Sequence, residues 1–198
     1  GILLSPIIAA AAMALSSVSV IGNALRLRTV RLETATALSR SVDIAAPGKR
    51  VFAYVDDIRN LARHMSERGS MPMMGSKLDL EIVSREPSGI GATYRYSGNV
   101  LGLAIDFSET VSAYVPERKK VWHTIGKPRL LILDSYELTA TVDQLNDDRS
   151  RLTIGIDYTL PSSGIWRVLG SMLAGRYAEW CVTNMLEGAR QDLEQRVT

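Results

Sequence analysis

No charged side chain occurs in residues 1–25, and this run divides the chain before any other feature is considered. As a helix it extends roughly 37 Å, more than the ~30 Å hydrocarbon core of a bilayer. The expectation is a transmembrane helix over residues 1–27, a linker over 28–39 and a folded domain over 40–198. Arg26, Arg28 and Arg31 follow the run, with no acidic residue before Glu33. That asymmetry predicts an inner or plasma-membrane location, with one span and the C-terminal domain in the cytoplasm. A signal peptide would carry its positive charge ahead of a shorter apolar run. The chain begins at Gly1 rather than Met, and reads as the C-terminal piece of something longer.

The middle of the run is small and weakly apolar: Ala9 to Ala12, then Ser16, Ser17 and Ser19. Small residues let helices approach closely, and serines hydrogen-bond across the contact. Met13 and Ser17 are four apart and share a helix face. A thioether is a soft ligand suited to Cu(I), and a hydroxyl can complete such a site; the plainer reading is a helix packed against other helices.

The stretch Leu4-Ser5-Pro6-Ile7-Ile8-Ala9-Ala10-Ala11-Ala12-Met13-Ala14-Leu15-Ser16-Ser17-Val18-Ser19-Val20, with Asn23-Ala24-Leu25-Arg26-Leu27 after it, resembles the last transmembrane helix of copper-transporting (heavy-metal) P-type ATPases. The resemblance covers residues 1–28. It implies that Met13, Ser16 and Ser17 contribute to an intramembrane Cu(I) site, and that the partners are the other transmembrane helices of such a pump, in cis or in trans. The Asp-Lys-Thr-Gly phosphorylation motif and the Cys-Pro-Cys helix of that family are missing, so the chain has no nucleotide site and cannot hydrolyse ATP alone.

Beyond residue 40 the pattern is that of a folded α+β domain. Ser41 to Ala46 alternates as a strand and stops at Pro47. Val51, Phe52, Val55, Ile58, Leu61 and Ala62 recur at helical spacing over residues 50–65. Strand-like runs cover 78–85, 92–101, 103–115, 120–125, 130–142 and 151–160, and their short connections require antiparallel pairing. A long C-terminal helix starts near Ser162 or Ser163, with the stripe Ile165, Leu169, Met172, Leu173, Tyr177, Trp180, Met185, Leu186, Ala189 and Leu193. The expected architecture is a curved antiparallel sheet of about seven strands around that helix.

This order, with Val42-Asp43-Ile44-Ala45-Ala46-Pro47-Gly48-Lys49 and Gly89-Ile90-Gly91-Ala92-Thr93-Tyr94-Arg95-Tyr96, resembles the SRPBCC (START-like, polyketide-cyclase-like) superfamily over residues 40–197. The resemblance implies a helix-grip fold with a pocket for a hydrophobic small molecule or lipid. Its candidate lining residues are Tyr94, Tyr96, Phe107, Trp122, Tyr136, Trp166, Met172 and Tyr177, with ordinary core packing as the alternative for each.

His64, Met65, Met71, Met73 and Met74 form a second group of soft ligands, read either as a Cu(I) site or as apolar cover for the cavity mouth. Asp106 and Asp157 lie in apolar strands as polar anchors or as solvent-facing groups, whereas Asp56 and Asp57 read as a solvated helix face. His123 and Cys181 have no recognisable catalytic partner. A net charge of +2 gives no basic field for nucleic acid, and one cysteine precludes an internal disulfide framework. Three functions remain: a pump-associated ligand-sensing domain, a membrane-tethered carrier of hydrophobic ligands, and a cyclase- or aromatase-like enzyme.

Overall fold

The computed structural model describes residues 36–65, 77–100, 102–130, 132–162 and 164–195. The chain divides into two units, Gly1–Thr34 and Ala35–Thr198, and the described residues all belong to the second. Strand β1 (Thr36–Ile44) takes in residues expected in the linker. It is followed by helices α1 (Gly48–Asp56) and α2 (Ile58–Leu61) and a 3-10 turn, Ala62–Met65. Then come β2 (Lys77–Ile82), β3 (Thr93–Val100), β4 (Leu103–Val115), β5 (Lys119–Arg129), β6 (Ser135–Asn146), β7 (Arg149–Thr159) and helix α3 (Gly164–Gln195).

The seven strands form one antiparallel sheet in the order β1-β7-β6-β5-β4-β3-β2. Successive strands are thus neighbours except β1, which closes against β7 once the others are in place. Along β7, Ser150, Leu152, Ile154, Ile156 and Tyr158 are buried at alternate positions, the period-two pattern of a sheet with one covered face. Bulges between Val111 and Ala113 and between Gln144 and Asn146 break the register and add local bend and twist.

Where a helix was expected over residues 50–65, the chain breaks at Asp57. Its backbone is extended (φ −77°, ψ 103°), and its side chain accepts from the Arg59 amide at 3.0 Å to cap α2. The break has a consequence in the interior, because it releases the Asp56 carbonyl from helical bonding.

Helix α3 packs on β1 and β7. Gly170 sits against Ile132, Leu160 and Pro161, and Ala174, Ala178, Val182, Met185, Leu186, Ala189 and Leu193 are buried along the helix. Its first half approaches through small residues, while Ile165, Val168, Met172 and Leu173 stay exposed. A Cβ on Gly170 would lie 2.7 Å from the Ile132 carbonyl oxygen, which is backbone and cannot swing away. Gly170→Ala is therefore expected to lower stability by about 1–2 kcal/mol despite alanine's better helix propensity. At Gly175 the nearest atom is the Tyr158 hydroxyl at 3.5 Å, so Gly175→Ala is expected to be neutral or stabilising by up to ~1 kcal/mol. Urea unfolding of the two variants side by side checks both signs.

The helix-grip arrangement is present, but the membrane span expected with it is corrected. Residues 1–27 lie outside the described residues, and no helix among the described residues is long and apolar enough to cross a membrane. The longest, α3, has 32 residues but carries Arg167, Arg176, Glu179, Glu187, Arg190, Asp192 and Glu194. The expected single-span protein of the inner or plasma membrane, with a cytoplasmic C-terminal domain, is withdrawn with the span.

Candidate ligand-binding interior

The concave face of β3–β6 gathers aromatic and ionisable groups that strand alternation places together. On β4, Ile105, Phe107, Glu109 and Val111 are buried in turn, so Glu109 holds a position that the pattern reserves for apolar residues. Tyr94 on β3 and Thr124 on β5 are its register partners. Tyr136 on β6 donates its hydroxyl hydrogen to Glu109 Oε1, and the Tyr96 hydroxyl also interacts with the carboxyl. Glu109 Oε2 has no hydrogen-bond partner. Burial pushes the Glu109 carboxyl up to about 7, only partly offset by the two tyrosines and the Lys120 charge.

Lys120 is fully buried beside Trp122. Its Nζ donates to the Asp56 carbonyl at 2.7 Å, the group freed by the helix break, and lies 3.3 Å from Asp56 Oδ1. It sits 5.4 Å from the Tyr94 ring centroid and 5.7 Å from that of Trp122, within cation–π range. Burial pulls its ammonium down and the Asp56 carboxylate opposes this. Tyr114 donates to Asp56 Oδ2 at 2.8 Å, so Asp56 and Lys120 form a closed pair with their own donors. Glu109 is the charge left over.

Aromatic rings line the same space. Tyr96 stacks on Phe107 at 4.8 Å, and Phe107 meets Tyr136 edge-on at 6.1 Å. Tyr177 of α3 is near enough to Tyr136 to influence its ionisation, and both phenols are held well above their usual range by burial. At the end of β5–β7, a cleft of about 300 Å³ opens beside His123, Tyr136, Glu137, Asp157 and Tyr158.

Of the residues named from sequence, Tyr94, Tyr96, Phe107 and Trp122 are buried, with Tyr136 and Tyr177 half-buried. Tyr94 donates its hydroxyl to the Pro87 carbonyl at 3.0 Å, so its polar end is already occupied. Met172 is 70% exposed and points away from the sheet. The Trp166 side chain lies outside the described residues, as do Met13, Ser16, Ser17, Met71, Met73 and Met74. His64 and Met65 occupy the 3-10 turn. Among the described residues, no group of three or more His, Cys, Asp or Glu converges on a metal position. Asp106 faces outward and forms a two-bond ion pair with Arg95 at 2.9 and 3.1 Å. Asp157 is exposed. The Cys181 thiol is buried and pushed up to about 12, which keeps it protonated.

Glu109, Lys120 and the role of Asp56 escaped the sequence reading. The signal for the first two was present: each is a charged residue in phase with the buried positions of its strand, Glu109 with Phe107 and Val111, and Lys120 with Trp122. Asp56 gave no such signal, because its partner is 64 residues away.

A seven-stranded antiparallel sheet holding a long C-terminal helix against an aromatic interior defines a START-like, helix-grip domain. The chain has TM-score 0.64 and 16% identity to the Zhui aromatase/cyclase from Streptomyces sp. R1128, over 82% of this chain and 96% of that one. For a START superfamily protein from Mycobacterium smegmatis the values are 0.55 and 16%, over 79% and 98%. For a norcoclaurine synthase point mutant from Thalictrum flavum, in complex with a transition state analogue, they are 0.58 and 12%, over 83% and 98%. At these identities the likeness is one of fold. No family model matches the chain. Among curated proteins, the silver exporting P-type ATPase of Salmonella typhimurium is 88% identical over 32 residues, 16% of this chain and 4% of that protein. The chain thus covers a small fraction of that relative's length.

Proposed function

We propose that the START-like domain binds a hydrophobic small molecule or lipid between the concave sheet and α3. The observation that carries this reading is the aromatic cluster of Tyr96, Phe107 and Tyr136, with rings stacked at 4.8 Å and edge-on at 6.1 Å, gathered around the buried Glu109 carboxyl. Apolar pockets with a few converging polar groups are the usual form of a small-molecule site. The fold likeness to an aromatase/cyclase and to a START superfamily protein supports the same reading. The exposed Ile165, Val168, Met172 and Leu173 of α3 add an apolar surface on the helix that borders the interior.

A cyclase-like enzyme is the second reading, favoured by Glu109 alone. A carboxyl pushed up to about 7 is suited to proton transfer near neutrality. Lys120, the cation that acts on Glu109 through its charge, is engaged by Asp56 at two atoms, which argues for a structural cation rather than a free amine.

Native mass spectrometry of the full chain as purified from cells, with titration of the neutral dye N-phenylnaphthylamine, tests the binding reading. A co-purified apolar mass, or saturable dye fluorescence with about one site per chain, is expected. An empty chain that leaves the dye dark would sink it.

A further inference from the structure

We infer that the molecule bound in the interior carries a protonated amine, seated on the free oxygen of Glu109. The inference rests on the proposed binding function and specifies the chemistry that site selects. A carboxyl 2% exposed with one oxygen unpartnered is costly in an apolar interior, because a buried polar atom loses its water without replacement. Among the described residues Tyr136 and Tyr96 supply hydrogens to this carboxyl, and no side chain is hydrogen-bonded to Oε2.

The missing group is a donor rather than an acceptor. Tyr136 already donates to Oε1, and the Tyr96 hydroxyl interacts with the same carboxyl. Above about pH 7, where the carboxyl is ionised, the interior presents hydrogens to a carboxylate and leaves lone pairs on Oε2. Charge counting sharpens the choice between a hydroxyl and an ammonium donor. Asp56 and Lys120 offset one another through direct contact, with Tyr114 as an additional donor to Asp56. Once ionised, above about pH 7, Glu109 remains as one negative charge, and one positive charge on the ligand neutralises it in a medium where charge-assisted hydrogen bonds are strong. The Tyr96–Phe107 stack and the edge of Tyr136 supply ring faces for the apolar body beside that head group. The cleft bordering Tyr136 brings solvent to the residue that grips Glu109. A carboxylate ligand would instead meet Glu109 as a like charge.

The test, at about pH 8 where Glu109 is ionised, displaces N-phenylnaphthylamine from the full chain with naphthylethylamine, naphthylethanol and naphthylacetate, three probes that share a ring body and differ in the head group. On the unaltered protein the amine is expected to bind about tenfold more tightly than the alcohol, with the carboxylate weakest. Glu109→Gln keeps the shape and removes the charge. It should weaken the amine by about tenfold and change the alcohol by less than about threefold. An amine preference that survives Glu109→Gln, or a carboxylate that binds as well as the amine, overturns the inference. Equal displacement by all three probes overturns it while leaving the binding reading intact; a dye that never binds overturns both. Circular dichroism of the variant confirms that it is folded when it is assayed.

Discussion

Lys120→Met is expected to cost about 3 kcal/mol of unfolding free energy, lowering Tm by about 10 °C. The side chain is fully buried and its ammonium bonds both the backbone and the carboxylate of Asp56. Methionine restores most of the apolar contact with Tyr94 and Trp122, so the loss reports the charge rather than a cavity. What remains is an Asp56 carboxylate with Tyr114 as its side-chain donor, and a Glu109 deprived of its nearest cation. Removing one member of a buried pair is costly because the other is stranded. Asp56→Asn in the Lys120→Met background should accordingly recover a good part of the loss, which a double-mutant cycle by thermal unfolding measures. A Lys120→Met chain within about 0.5 kcal/mol of the parent would show that the pair contributes little.

The second large effect depends on pH. The ordinary value for Glu109 is 4.5, and in the folded protein burial raises it to about 7. Between these values the unfolded chain has released the proton and the folded chain still holds it. Stability therefore falls as pH rises, by about 1.4 kcal/mol per unit at most and about 3 kcal/mol across the window. The groups facing Glu109 do not reverse the sign. Tyr94, Tyr96 and Tyr136 are all raised by burial and stay neutral, while Lys120 stays paired with Asp56. Glu109→Gln should remove this slope, leaving the variant more stable than the parent by about 3 kcal/mol at pH 8 and nearly equal to it near pH 5. Urea denaturation at several pH values between these limits gives the answer. Parallel stability curves for parent and variant would mean that Glu109 titrates like an ordinary surface carboxyl. The same destabilisation above neutrality is what an ammonium ligand on Oε2 would relieve, so the stability slope and the ligand preference share one cause.

Much of the domain was legible because strand alternation and helical spacing are local signals. The order of strand, helix, six strands and long helix follows from residues 41–195, and the short connections imposed antiparallel pairing. The misplaced boundaries have identifiable causes. The helix over 50–65 is broken because Asp57 caps α2 from its own side chain, a choice that apolar spacing does not register. Strand β5 continues through Lys127 and Pro128 to Arg129, beyond the expected end at residue 125. The uncharged opening run was read from hydropathy, from the charges that follow it and from a resemblance to a P-type ATPase helix, and these identify a sequence suited to a span without establishing one.

The site divides along the same line. The resemblance to the SRPBCC superfamily implied a pocket lined by Tyr94, Tyr96, Phe107, Trp122 and Tyr136, residues that the structure holds buried or half-buried. Met172 shared the apolar stripe of α3 yet is exposed, whereas the small residues Ala174 and Ala178 of the same helix are buried. By itself, then, the sequence determined the elements, their pairing sense and the apolar phase of each strand, all set by interactions between near neighbours. Only the tertiary structure decided that Asp56 would satisfy Lys120 from 64 residues away, that Tyr136 would grip one oxygen of Glu109, and that the other would be left unpartnered. Those facts depend on which strands curve toward one another, and the energy of a buried charge is set by whatever that curvature brings within hydrogen-bonding distance.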